Sequence, residues 1–170
     1  NYFKSDAAWV DTWITQSVTD ATARTNGLRT GTVDIAGVDP RIADMLGKDP
    51  KITIHSTQSS AHFLWAMMCD RAPTNDVNVR LALKYCANRQ AMVDQLLLGY
   101  GTVANDFPIS PGMPLFCKEI PQRDYDPDKA KFYWEKTGLS GIEISASTQA
   151  GDYAIDACVM LQEGAKAAGI

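Results

Sequence analysis

The residues best suited to hold a small polar molecule stand together in Ser147-Thr148-Gln149-Ala150-Gly151-Asp152. Hydroxyls and a primary amide both donate and accept hydrogen bonds, so Ser147, Thr148 and Gln149 suit a polar ligand. Gly151 and Asp152 open a helical pattern, and the free amides of a helix start attract a carboxylate. The same Ser147 and Asp152 could do no more than cap the turn and the helix. Gln58 and Ser59 at a strand end, and Asp106 and Phe107 in a loop, are second candidates beside their reading as turn residues.

Other chemistry finds little support. A nucleophile needs an adjacent base and an orienting acid. His55 and His62 only flank a turn-like stretch, and no spacing suggests such a set, so no catalytic residue is assigned. Gly99-Tyr100-Gly101-Thr102-Val103-Ala104 fits G-x-G-x-x-A, but it follows a helix and precedes a proline-rich loop. A dinucleotide fingerprint must lie between a strand and a helix, so a helix C-cap and turn is the better reading. Asp124, Asp126, Asp128 and Glu135 match part of an EF-hand count, yet Lys129 stands where that loop needs glycine. These acids are assigned to helix capping, and no metal or cofactor is expected. Cys69, Cys86, Cys117 and Cys158 form no C-x-x-C pair. Cys69, Cys86 and Cys158 lie in apolar patterns and read as buried thiols, Cys117 as an exposed one. Trp134 is assigned to the core, and Trp65 stays open between core and ligand pocket.

The elements that would carry these residues follow from periodicity. Trp9–Val18, Thr32–Ala36, Lys51–His55, His62–Met68 and Ile142–Ser147 read as strands. His62–Met68 is apolar enough to be buried on both faces. Helices are expected after the caps Asp20, Asp39, Asp76, Asn88, Asp126 and Asp152, with stops at Gly31, Gly47, Gly99 and Gly138. Gly47 is expected in the left-handed C′ conformation. Tyr100 to Asp124 holds four prolines and no period, so it is a long loop. Alternating strands and helices predict an α/β domain, with a mixed, largely parallel sheet and helices on both faces. The last helix ends where another strand is expected, so both ends read as cuts in a longer chain.

Composition narrows the function classes. The chain has 170 residues, 45% of them hydrophobic, which predicts one globular domain over 1–170 and excludes disorder. The formal charge is −4 and there is no basic stripe, which argues against nucleic acid as a partner. The longest apolar run, Phe63 to Cys69, is too short to span a membrane.

One stretch is more specific. Asp76-Val77-Asn78-Val79-Arg80-Leu81-Ala82-Leu83-Lys84-Tyr85-Cys86-Ala87-Asn88-Arg89 resembles the D-x-x-V-R-x-A-x-x-x-A-[ID]-R signature of the family 5 extracellular solute-binding proteins. Further stretches agree in order. Gly31 to Ala36 is similar to the family's G-x-x-D-[IVL]-A strand, and Ala72-Pro73 precedes the signature as the family's proline does. Gly99-Tyr100-Gly101 with Pro108 and Ser110-Pro111 resembles its G-x-G loop. Tyr125 to Lys131 with Thr137-Gly138 resembles its Y-D-P-x-K-A-K helix, and Gly169-Ile170 the end of the next one. Asn88 departs from the usual aspartate and keeps only the capping role. Met67-Met68-Cys69 stands where an asparagine often follows the strand.

The resemblance implies most of the second, C-terminal lobe, cut at both ends, of a two-lobed periplasmic-binding-protein fold of type II, with a ligand enclosed by hinge closure. It implies capture of a peptide or similar small polar solute for an ABC-transporter permease, in the periplasm or tethered outside a single-membrane cell, by a monomer that is not an enzyme. It also implies that the loop at Ser147–Asp152 faces the cleft. The aspartate that holds a peptide's amino terminus in such proteins would lie beyond Ile170. Two other readings stand beside it: an α/β interaction or regulatory domain that is whole as it stands, and a small hydrolase without a recognisable motif.

Overall fold

Six short helices carry the architecture of the computed structural model, which describes residues 4, 6–7, 9–57, 59, 61–145 and 153–170. In chain order these are α1 (Ala21–Thr30), α2 (Pro40–Leu46), α3 (Val77–Cys86), α4 (Arg89–Leu96), α5 (Pro127–Glu135) and α6 (Ala154–Ala167). Each was expected from its periodicity, and α1 to α5 start at the expected caps; α6 starts after Tyr153, which makes no side-chain cap hydrogen bond, and its expected cap Asp152 lies outside the described residues. The carboxyls of Asp20, Asp39, Asp76 and Asp126 and the amide oxygen of Asn88 each accept a backbone N–H in the first turn. They thereby satisfy donors that the helix leaves open. Gly31 closes α1 at φ 73°, where only glycine avoids a Cβ penalty. Gly47 does not take the expected left-handed form: it lies at φ −63°, and the chain continues into a tight turn.

Among the described residues there is no strand and no sheet; the described parts of the predicted stretches carry no regular secondary structure, with bends at Asp11, Thr32 and Asp34 and a turn at Lys51. The mixed, largely parallel α/β architecture is therefore overturned. The reason lies in hydrogen bonding. A helix closes its bonds within its own segment, whereas a strand must find its donors and acceptors on another strand. Alternating apolar residues set up the faces of a strand but do not supply that partner. The segments also fail to bury their apolar groups. Trp9 is 87% exposed, and Ile14, Ile35, Leu64 and Ile144 are exposed too. His62–Met68, expected to be covered on both faces, is largely open.

The chain falls into two compact units, Asn1–Val38 and Asp39–Ile170. In the first, Arg24 of α1 pins the flanking chain, donating from Nη1 to the carbonyls of Val18 and Thr19, both at 2.8 Å, and from Nε to that of Gly37 at 3.1 Å. The second holds the core. Val79, Ala82, Leu83 and Cys86 recur every three or four residues and form one face of α3. That face meets Ala130 and Trp134 of α5 and Ala168 beyond the end of α6. Gly164 of α6 passes so close to the Cys86 carbonyl that a Cβ there would overlap it. Trp134 is only 5% exposed, in keeping with its assignment to the core.

Candidate functional site

The long loop between α4 and α5 is braced on the helices by one carboxylate. The side chain of Asp106, 16% exposed, stands among Lys84 of α3, Arg89 at the start of α4 and Arg123 near the end of the loop. Arg89 Nη2 donates to Oδ1 at 2.7 Å, Arg123 Nε donates to Oδ2 at 2.5 Å, and Lys84 Nζ lies 3.4 Å from Oδ2. Arg89 Nη1 also reaches the Arg123 carbonyl at 3.0 Å. Asn105 ties the two ends of the loop together, donating to the Pro121 carbonyl at 2.9 Å and accepting from Arg123 N at 3.3 Å. The Arg123 guanidinium lies over the Tyr85 ring at 4.6 Å, a favourable place for a cation. Partial burial pushes the Asp106 pKa up. The Arg123 hydrogen bond and the charges of Lys84, Arg89 and Arg123 outweigh it and hold the carboxyl below its ordinary value.

Both oxygens of Asp106 are thus engaged inside the protein. Phe107 beside it packs on Phe116, ring centroids 5.9 Å apart. Ser59 Oγ accepts a hydrogen bond from the Ala61 amide at 3.1 Å. All three line one broad concavity of about 2740 Å³ in the second unit. That is several times the size of a small-molecule pocket. Gln58, Ser147, Thr148, Gln149, Gly151 and Asp152 lie outside the described residues.

The remaining sequence assignments divide. Arg80 donates to the Thr74 and Asn75 carbonyls, and Arg89 joins the Asp106 cluster, so both brace the fold. Asp126 caps α5 and pairs with Lys129 at 2.9 Å. Leu98 and Gly99 turn the chain out of α4 at positive φ, with Tyr100 N bonding the Leu97 carbonyl, so G-x-G-x-x-A is a helix end and turn. Cys86 is buried and its thiol is pushed up to about 11 by that burial. Cys117 is exposed as expected; Cys69, expected to be buried, is exposed, and Cys158 is half-buried. Each of the last two lies in or beside an apolar pattern that this fold leaves partly open.

Sequence reasoning left one feature of the concavity unassembled. Phe63 and Trp65 meet edge to face at 5.2 Å, and Tyr153 at the start of α6 meets Phe63 at 6.0 Å. The two-residue spacing of Phe63 and Trp65 in a predicted strand was the available signal, because it sets both rings on one side. Nothing in the sequence announced Tyr153 as their neighbour.

Residues 1–170 match the model of the bacterial extracellular solute-binding proteins, family 5 Middle. The chain belongs to this family. Its relatives within family 5 include heme-binding protein A of Haemophilus influenzae, 32% identical over 84% of this chain and 26% of the relative. Di/tripeptide-binding protein 1 of Pseudomonas aeruginosa is 32% identical over 85% of this chain and 27% of its own length. The nickel-binding periplasmic protein of Escherichia coli is 29% identical over 71% of this chain and 24% of its length. The chain thus spans about a quarter of the curated family 5 proteins it matches.

Proposed function

We propose that this chain is part of a receptor that captures a small polar solute, in the first place a peptide, and presents it to an ABC-transporter permease outside the cytoplasmic membrane. The observation that carries this reading is the family match along all of residues 1–170. Relatives named for di- and tripeptides and for glutathione favour peptide-like solutes over other small molecules. The concave wall suits a shared binding cleft: it presents hydroxyl, amide, charged and aromatic groups. Ser59 and Phe107 on that wall, with Gln58, Ser147, Thr148, Gln149, Gly151 and Asp152, would contribute the contacts of this part. Asp106 would act by holding the loop that carries Phe107. The protein works as a monomer in the periplasm, or tethered outside a single-membrane cell, and catalyses no reaction.

Capture would proceed by closure of two lobes on the solute. A ligand shifts such an equilibrium only by its different affinity for the open and closed forms. Contacts on one side alone therefore bind weakly. The test is thermal unfolding of the protein as its gene encodes it, with a panel of di- and tripeptides. Stabilisation of several degrees by members of the panel is expected, and no shift with any peptide would overturn the peptide reading. The 170-residue chain alone is expected to bind the same peptides far more weakly; submicromolar binding to it would overturn the two-lobed mechanism.

A further inference from the structure

We propose that Phe63, Trp65 and Tyr153 form an aromatic shelf that receives the flat apolar group of the captured solute, such as an aromatic peptide side chain. The proposal rests on the solute-capture reading and names a substrate preference within it. Two stretches far apart in sequence converge here, one irregular and one opening α6. Phe63 meets Trp65 at 5.2 Å with an interplanar angle of 84°, and Tyr153 at 6.0 Å and 64°. Neither contact is a stack: an edge-to-face contact covers at most one face of one of its two rings, so most ring faces of the trio are left uncovered by it. Aromatic rings favour such edge-to-face or offset contacts, and a further planar ring can join on the same terms. Phe63 remains 42% exposed and Tyr153 37%, and all three rings line the concavity.

A second aromatic cluster shows why this one is singled out. The Tyr85 ring is stacked on Tyr133 at 5.7 Å and 5°, with the Arg123 guanidinium over it at 4.6 Å and the Lys129 ammonium at 5.4 Å. Its faces are already taken by groups of the protein. The Phe63 cluster is different: its rings are open to the concavity, and Tyr153 directly follows Asp152 in the chain.

The experiment compares Ala-Phe with Ala-Ala by titration calorimetry, in the protein as its gene encodes it and in Phe63→Leu and Tyr153→Leu variants. Leucine keeps the sites apolar while removing the ring faces, and unchanged circular dichroism identifies the folded variants. Ala-Phe is expected to bind roughly tenfold more tightly than Ala-Ala, the scale of one aromatic contact plus its buried area. In either folded variant that ratio is expected to fall towards one. Equal binding of both dipeptides, or a ratio that survives both substitutions, overturns the shelf while leaving peptide capture standing. Binding of neither dipeptide overturns the peptide reading and the shelf with it.

Discussion

The helical block around α3 and α5 and the irregular segment 61–68 are both built from apolar sequence, yet only the first forms a core. In α3, Val79, Ala82 and Cys86 are buried against α5 and the end of α6. In the irregular segment, Phe63, Leu64 and Met68 are exposed. The difference is the range over which each element must find its partners. An α-helix completes its hydrogen bonds internally and then needs only one neighbouring face for its apolar stripe. A segment without helical bonds must find its hydrogen-bond partners elsewhere in the chain, and of this stretch Met67 packs, half-buried, against the helical core. Hydrophobicity alone therefore does not predict burial here; the supply of partners does. The same contrast separates structural from available aromatic groups, with Trp134 sealed in the helical block and Phe63 open to the concavity.

Four measurements would break or sharpen this contrast. The largest effect is expected for Trp134→Ala, which leaves a cavity between α3 and α5 and should cost about 3–5 kcal/mol in urea unfolding. A cost under about 1 kcal/mol would show that the helical block is not the stabilising core. Thiol chemistry comes next. With its pKa pushed up to about 11 from 9.0, Cys86 has roughly a hundredfold less thiolate than an unperturbed cysteine. Mass-spectrometric mapping of iodoacetamide labelling at pH 8 should find Cys69 and Cys117 modified first, Cys158 more slowly and Cys86 last.

The third measurement concerns Asp106. Its substitution by Asn leaves Lys84, Arg89 and Arg123 without their carboxylate and is expected to cost about 2 kcal/mol. The folded-state pKa is depressed, so this stabilisation is full above the ordinary carboxylate range. It is lost as the pH falls through the lower folded value. Stability of the unmodified chain should thus decline in acid more than that of Asp106→Asn, and parallel pH profiles would remove Asp106 from the bracing role. The smallest effect belongs to the irregular segment. Leu64→Ser in the 170-residue chain should change stability by less than about 0.5 kcal/mol, and a loss of 2 kcal/mol or more would mean that this segment is packed after all.

Much of the helical layer was legible because its signals are local. Asp126-Pro127 and Asp76 each state a helix start within three residues, and the structure places the caps there. The family, too, was legible, since its motifs recur in order along the chain. The concavity was less so. Asp106 could be named as a candidate from its loop, but its capture by Lys84, Arg89 and Arg123 brings together residues 17 to 22 positions away from it. Such a cluster has no periodicity to reveal it. The convergence of Tyr153 on Phe63 spans a still longer separation.

By itself, the sequence determined the six helices of the described residues, the caps of the first five and the family to which the chain belongs, because cap chemistry and 3.6-residue periodicity act within a few residues. Only the tertiary structure decided which apolar stretches are covered and which stay open. It also decided that Asp106 is held by three cations and that Phe63, Trp65 and Tyr153 meet. Burial, ion-pair geometry and sheet pairing all depend on contacts between distant parts of a chain, and a local pattern proposes such contacts without being able to supply the partner.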